Sequence, residues 1–322
     1  MCGEGLGVVS DSLLIKPKAL KAGARLAIVS PASAAKAELV EAGMERLRGM
    51  GYEPVLMPNA LARRPLYYAG TVEQRVSDLH AAFADASIDG IVCTRGGWGS
   101  AELLPHLDAE LIRANAKVFV GYSDHTSLHV WMRRFAGMVT FHGPMCAADF
   151  SRGDGADGAS WNAALSGTKG WSVGAAEGLR VLKPGVAEGV LDGGCLSIFV
   201  EALGTEYAPV ASDGILFLED IGTKPYQWDR QLLHLKYAGQ LERVKGIVLG
   251  DMTQCVAAEE QELLERAILH SLREFEGPVA IGLRSGHVGA RNVTLPLGVR
   301  VRLDLSDAGN PRIDFLEAAV AE

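Results

Sequence analysis

The sequence predicts an α/β protein in two domains, the first a parallel sheet flanked by helices and the second smaller, β-rich and of mixed α+β type. Three observations predict it. At 322 residues the chain exceeds the usual size of one hydrophobic core, so two domains are expected. With 48% apolar residues, 22% charged residues and 38 glycines, the composition is that of a soluble α/β chain rather than a disordered, fibrous or membrane one. From Arg25 onward, short β-branched runs alternate with longer amphipathic ones, the pattern of repeated strand-helix-strand units.

The elements follow in order. R-L-A-I-V-S from Arg25 reads as a strand, 35–50 as a helix and Y-E-P-V-L-M-P from Tyr52 as the next strand. A helix over 71–85, the strand D-G-I-V-C-T from Asp89, a helix over 99–106, the strand V-F-V-G-Y from Val118 and a helix over 124–134 extend the pattern. In sheets of this kind, function collects at the carboxyl ends of the strands. The stretch 151–170 is rich in Gly, Ser and Asp without periodicity, so the boundary is placed there, giving a first domain over 1–150, a linker over 151–175 and a second domain over 176–322. Beyond it come G-I-L-F-L from Gly214, a helix over 225–238, V-K-G-I-V-L-G from Val244, a helix over 257–275 and P-V-A-I-G-L from Pro278. A closing pair of strands, N-V-T-L-P and V-R-V-R-L-D, makes the end β-rich.

Charge and cysteine usage exclude several functions. A formal net charge of -8 with no Lys/Arg stripe excludes nucleic acid and leaves a small molecule or peptide as the partner. The five cysteines, Cys2, Cys93, Cys146, Cys195 and Cys255, are widely spaced and form no C-x-x-C pair, so neither a disulfide framework nor a zinc knuckle is expected. That usage suits a reducing cytoplasm. The N-terminal M-C-G-E-G-L-G-V-V-S-D lacks a basic segment and a continuous apolar segment, and no run of about 18 apolar residues occurs, so neither export nor a membrane span is expected.

The chemistry is expected at G-Y-S-D-H, Gly121 to His125, where a strand feeds a helix through G-x-S. A glycine there permits a tight turn that pushes Ser123 out over a helix N-terminus, as in a nucleophile elbow, although His125 stands where the hydrolase motif has its second glycine. The alternative is that Ser123 or Asp124 caps the helix. A serine nucleophile needs a base, and the base needs an orienting group. Among eight histidines, His80, His106, His234 and His270 fall in or at the ends of helical stretches, whereas His287 lies in the glycine-flanked loop R-S-G-H-V-G-A-R-N. Glu219 ends the apolar strand G-I-L-F-L and is the candidate orienting carboxylate, with Asp220 the alternative. The glycine pair in C-T-R-G-G-W-G-S, Gly96 and Gly97, offers a backbone N–H as an oxyanion donor beside that of Asp124, and equally fits an ordinary turn or a phosphate cradle. His125 and His129 sit four apart, a spacing that metal ligands also use, but without the glutamate of H-E-x-x-H. Asn292-Val-Thr is a glycosylation sequon, without meaning in a cytoplasmic protein.

These motifs together resemble the LD-carboxypeptidases, or muramoyltetrapeptide carboxypeptidases, and the related microcin C self-immunity peptidases. The resemblance covers nearly the whole chain: K-P-K-A-L-K-A-G-A-R-L-A-I-V-S-P-A-S from Lys16, Y-Y-A-G-T-V-E-Q-R-V-S-D-L-H-A-A-F from Tyr67, R-G-G-W-G-S from Arg95, G-Y-S-D-H-T from Gly121 and F-H-G-P-M from Phe141. It continues with L-E-D-I-G from Leu218, Y-Q-W-D-R from Tyr226 and G-H-V-G-A-R-N-V-T-L-P-L-G from Gly286. The resemblance implies a first domain like the class I glutamine amidotransferase core, a β-rich second domain, a site at their junction and a homodimer. It implies Ser123 as nucleophile, His287 as base and Glu219 as its orienting partner, with the backbone N–H groups of Gly97 and Asp124 as oxyanion donors. No metal or other cofactor is implied.

The implied substrate is a murein tetrapeptide, which loses its C-terminal D-alanine in cell-wall recycling in the cytoplasm. For the microcin branch it is a peptidyl or aminoacyl nucleotide, and the absence of a large insertion between Glu219 and His287 favours the carboxypeptidases. A ligand-binding homologue without turnover is the alternative of another class. Arg95, Trp98 and Arg291 are candidates for binding the terminal carboxylate, and each also fits a structural role. The chain departs from the resemblance at Gly193-Gly194-Cys195-Leu196, where the family's G-G-N-L is expected.

Overall fold

A computed structural model describes residues 14–210 and 213–322. Cys2 and the N-terminal segment discussed above lie outside the described residues. The chain builds two sheets. The first runs in the order β12-β5-β4-β3-β1-β2, from β1 (Arg25–Val29), β2 (Glu53–Leu56), β3 (Gly90–Cys93), β4 (Val118–Gly121), β5 (Thr140–His142) and β12 (Leu295–Leu297). Its first five strands are parallel and β12 pairs antiparallel with β5. Every residue of β3 and β4 is buried, as expected of strands covered on both faces. The covering helices include α1 (Ala37–Gly49) and α2 (Val72–Ala84), the latter started by a reciprocal capping box between Thr71 and Gln74.

The second half, expected to be the smaller, carries the larger sheet, eight strands in the order β6-β14-β13-β8-β9-β10-β11-β7. Its centre is parallel: β8 (Val186–Cys195), β9 (Gly214–Glu219), β10 (Gly246–Gly250) and β11 (Val279–Leu283). The flanks, β6 (Ser172–Gly174), β7 (Arg180–Lys183), β13 (Arg300–Asp304) and β14 (Arg312–Phe315), are antiparallel. Helices α7 (Pro225–Tyr237) and α8 (Gln261–Ser271) bury Trp228, Leu232, Leu235, Leu264 and Ile268 against this sheet.

Four sequence expectations need correction. The helix expected over 99–106 is a 3-10 helix, Ser100–His106, interrupted by Pro105. The helix expected over 124–134 is a 3-10 turn, Ser123–His125, then α4 (Thr126–Trp131) and a π-turn, Met132–Ala136, because the first residues are held by the strand turn rather than by helical bonds. The aperiodic stretch at 151–170 contains α5 (Gly158–Leu165), capped by Asp157 and anchored by the fully buried Trp161. The expected closing pair of strands is split, since Leu295–Leu297 joins the first sheet and Arg300–Asp304 the second. The chain therefore returns to its first sheet after completing most of the second. A buried ion pair between Arg133 and Asp192 and the hydrogen bond from Cys195 N–H to Thr126 Oγ1 tie the two sheets together beside α4.

Candidate active site

The site forms where the carboxyl ends of β4 and β9 face each other. At the end of β4, Tyr122 is extended and Ser123 turns into the left-handed region at φ +64°, which lifts its hydroxyl out of the turn. Neither Ser123 nor Asp124 caps the helix that follows. Instead the buried Asp124 carboxylate accepts the N–H of Ser100 at 2.8 Å, which fixes the serine turn to the neighbouring glycine turn. His125 completes that tie, with Nδ1 at 3.0 Å from Ser100 Oγ and Nε2 at 3.1 Å from the Arg95 carbonyl.

Glu219 ends β9, as the sequence predicts, and is 2% exposed. Its Oε2 accepts both the backbone N–H of His287, at 3.0 Å, and His287 Nδ1, at 2.8 Å. His287 Nε2 lies 2.9 Å from Ser123 Oγ. The three side chains thus form one hydrogen-bonded line from carboxylate to imidazole to hydroxyl. Burial alone lowers the His287 pKa, but the Glu219 charge and hydrogen bond outweigh it and leave the imidazole above its ordinary value. Burial likewise pushes Glu219 up, and the facing His287 more than offsets it, so the carboxyl titrates below its ordinary value. Asp220 does not share this role: it accepts the N–H of Ser197 at 2.9 Å, and burial beside Glu219 raises its pKa.

Two glycines make room for the line. A Cβ on Gly96 would lie 2.7 Å from Ser123 Cβ and 2.8 Å from Ser123 Oγ, so only glycine fits beside the hydroxyl. A Cβ on Gly286, at φ +94°, would lie 2.4 Å from Glu219 Cδ. The backbone N–H of Asp124 is adjacent, 3.4 Å from that same Gly96 position, while Gly97 packs against Ser33 and Trp98 N–H donates to Ser33 Oγ at 3.1 Å. Of the glycine pair expected as an oxyanion cradle, Gly96 therefore abuts the serine, while Gly97 faces Ser33.

The sequence missed the residues that hold the His287 loop. Asn292 accepts the Gly286 N–H at 2.9 Å and donates to the Gly286 carbonyl at 3.1 Å. Arg152 pairs with the buried Asp149 at 2.7 Å and donates to the Gly289 carbonyl at 2.9 Å. Tyr122 presents its ring to His287 edge-on at 5.2 Å. In the sequence Asn292 stands out only within the His287 loop motif and a sequon, Arg152 lies in the aperiodic stretch over 151–170, and Asp149 lies just before it.

Arg95 is exposed on the glycine turn, and Trp98 is 36% exposed on the same turn. Arg291 is exposed, at φ +51°, in the loop that follows His287, and its N–H donates to the Asp154 carbonyl at 2.7 Å. None of the three makes a hydrogen bond or ion pair to the triad side chains. His129 Nε2–H donates to the Gly121 carbonyl at 2.9 Å, and burial pushes its pKa down to about 3. His125 is pushed down to about 4 by the same cause. Both are neutral, internally bonded rings. No described helix is long and apolar enough to cross a membrane.

The chain is similar along most of its length to known peptidases. The LD-carboxypeptidase N-terminal domain model matches residues 26–143, and the LD-carboxypeptidase C-terminal domain model matches residues 188–303. A putative carboxypeptidase of Streptomyces coelicolor is 38% identical over 94% of this chain and 96% of its own. A probable murein peptide carboxypeptidase of Bacillus subtilis is 32% identical over 97% of each. The crystal structure of a muramoyltetrapeptide carboxypeptidase from Oxalobacter formigenes superposes with a TM-score of 0.79 at 30% identity, covering 91% of this chain and 99% of that one. An MccF-like protein from Bacillus anthracis superposes with a TM-score of 0.84 at 26% identity, covering 94% and 99%.

Proposed function

Since the chain belongs to the LD-carboxypeptidase family, we propose that it is a serine hydrolase that releases the C-terminal D-alanine from murein tetrapeptides. The observation that carries this reading is the continuous line Glu219 Oε2, His287 Nδ1, His287 Nε2, Ser123 Oγ, with contacts of 2.8 Å and 2.9 Å.

In the proposed mechanism Glu219 accepts the Nδ1–H of His287, so the neutral ring presents a bare Nε2 to the serine hydroxyl. Ser123 Oγ attacks the carbonyl that joins the L-configured centre to the terminal D-alanine, and its proton passes to Nε2. The imidazolium so formed is stabilised by the Glu219 charge. The oxyanion accepts from the backbone N–H groups of Asp124 and Gly97, donors of a kind worth roughly two to three orders of magnitude in rate. His287 then protonates the departing amine, the C–N bond breaks and D-alanine leaves. Water, deprotonated by the same Nε2, releases the shortened peptide from Ser123.

Arg95, Trp98 and Arg291 are assigned to recognition of the substrate's terminal carboxylate, because they are the exposed cationic and aromatic groups on the two loops that carry Gly97 and His287. Peptidoglycan recycling, a cytoplasmic location and a homodimer complete the proposal.

Mass spectrometry tests it directly. A murein tetrapeptide, an all-L analogue and an aspartyl-adenylate analogue are each incubated with wild type and Ser123→Ala. Release of D-alanine from the first alone, abolished by the substitution, is expected. Cleavage of the adenylate analogue alone would move the chain to the immunity branch, and no cleavage at all would leave a ligand-binding homologue.

A further inference from the structure

The position where this chain departs from the expected G-G-N-L lies against the triad. Cys195 ends β8 and is the register partner of Glu219 at the end of β9, so the two side chains emerge together at the same strand edge. Cys195 Sγ, a Glu219 carboxylate oxygen and a His287 ring nitrogen all lie within 4.8 Å of one another. Among the described residues this is the one cluster of three potential metal ligands, and His125 and His129 take no part in it. A second observation points to a ligand. Glu219 Oε1 is buried and has no hydrogen-bond partner among the described residues, while Oε2 holds the imidazole. A buried carboxylate oxygen without a donor is costly unless something positive meets it.

We propose that Cys195, Glu219 and His287 form a capture site for a thiophilic divalent cation, zinc being the type, whose occupation switches the hydrolase off. This proposal rests on the triad reading above. Sulfur, nitrogen and oxygen are the ligand set zinc favours, and a tetrahedral centre sets its ligand atoms roughly 3.5 Å apart. A separation of at most 4.8 Å need close by no more than about 1.3 Å to reach that geometry, while the 2.8 Å contact between Glu219 and His287 widens. Water or a substrate carboxylate fills the fourth position. The cation enters from the serine side, where the His287 side chain is 16% exposed.

The proton balance explains the inhibition. A coordinating thiol binds as the thiolate, so occupation by a divalent cation releases one proton from Cys195 to solvent. The ring must give up its Nδ1 proton to bind through that nitrogen. It remains neutral by carrying a proton on Nε2, and Nε2 then has no lone pair to accept the Ser123 proton. The base is lost without any change in the serine.

The test separates metal capture from catalysis. Ser123→Ala keeps all three ligands and is titrated with Co2+, which is expected to produce a thiolate-to-cobalt charge-transfer band that zinc bleaches and that is missing when Cys195→Ser is combined with it. In parallel, zinc is expected to halt wild-type turnover reversibly, a chelator to restore it, and Mg2+ to have no effect because it prefers an all-oxygen shell. The half-inhibiting zinc concentration is expected to rise roughly a hundredfold in Cys195→Ser, each protein being compared with its own zinc-free rate. Cys195→Asn serves the same comparison if the serine variant fails to fold. Absence of the cobalt band, or equal zinc sensitivity with and without the thiol, overturns the proposal. A protein that gives the band but releases no D-alanine keeps the metal site and loses the proposed function.

Discussion

Ser123 and His287 stand 164 positions apart in the chain, yet their reacting atoms lie 2.9 Å apart. Each is delivered by a different sheet, Ser123 by β4 of the first and His287 by the loop after β11 of the second. The contact is therefore a report on how the two sheets are seated, and substitutions can address the seating and the chemistry separately.

Ser123→Ala is expected to cut turnover by roughly four to six orders of magnitude, as removal of a triad serine does. Ser123→Gly is expected to be equally inactive and about 1 kcal/mol more stable than wild type, because glycine adopts the φ of +64° without strain. Steady-state kinetics and urea unfolding check the two halves. A glycine variant less stable than wild type would mean that the turn stores no strain.

The raised pKa of His287 sets the acidic limb of the activity profile. The base must be neutral, so kcat/KM is expected to rise with pH through a midpoint above the ordinary histidine value of 6.5. Glu219→Gln removes the charge that raises it, so the midpoint should fall, with turnover lower by roughly four orders of magnitude. A profile whose midpoint does not move would place the titrating group elsewhere.

The same pair makes stability depend on pH in two directions. His287, raised in the folded state, contributes fully below 6.5 and loses that contribution as pH rises through its folded value. Glu219, lowered in the folded state, contributes above 4.5 and loses that contribution as pH falls through its folded value. The pair's contribution is thus greatest between 4.5 and 6.5. Unfolding free energies of wild type and of Glu219→Gln, measured across this range and at higher pH, should differ most inside it.

Gly96→Ala is expected to spare the fold and slow turnover roughly a hundredfold, the effect of displacing a reacting atom by about 1 Å. The new methyl meets Ser123 Cβ and Oγ at 2.7 and 2.8 Å, so the hydroxyl must move. Unchanged kinetics with an unchanged melting temperature would show that the turn yields instead.

Asn292→Ala leaves the Gly286 N–H without its partner and opens the loop that carries His287. A loss of about 2 kcal/mol in stability is expected from a buried donor left unsatisfied, with a lower kcat. Asn292→Asp keeps the acceptor for the N–H and should recover part of both.

The sequence made the site legible because each triad residue stands at a strand end that its own local pattern marks. G-Y-S-D follows an all-apolar strand, Glu219 closes another, and His287 sits between glycines. What escaped was held by long-range contacts. β8 passes through Gly193 and Gly194, which carry no side-chain pattern, before it ends at Cys195, so the strand that brings Cys195 beside Glu219 was not foreseen. Asn292 to Pro296 reads locally as one of two closing strands, and only the pairing of Leu295 with His142 shows that it belongs to the other sheet. Asp149 and Arg152 reach the His287 loop across more than a hundred positions, through Asn292 and the Gly289 carbonyl, and no local spacing encodes such partners.

The return of β12 to the first sheet also dictates when the enzyme can exist during its own synthesis. Until residue 297 is free to pair, β5 is an exposed sheet edge, open to other nascent chains and to whatever chaperone shields such edges. Ser123 emerges long before, whereas His287 emerges in the same stretch of chain as the sealing strand, Leu295–Leu297. In the unfinished polypeptide the contact between Ser123 and His287 therefore cannot form.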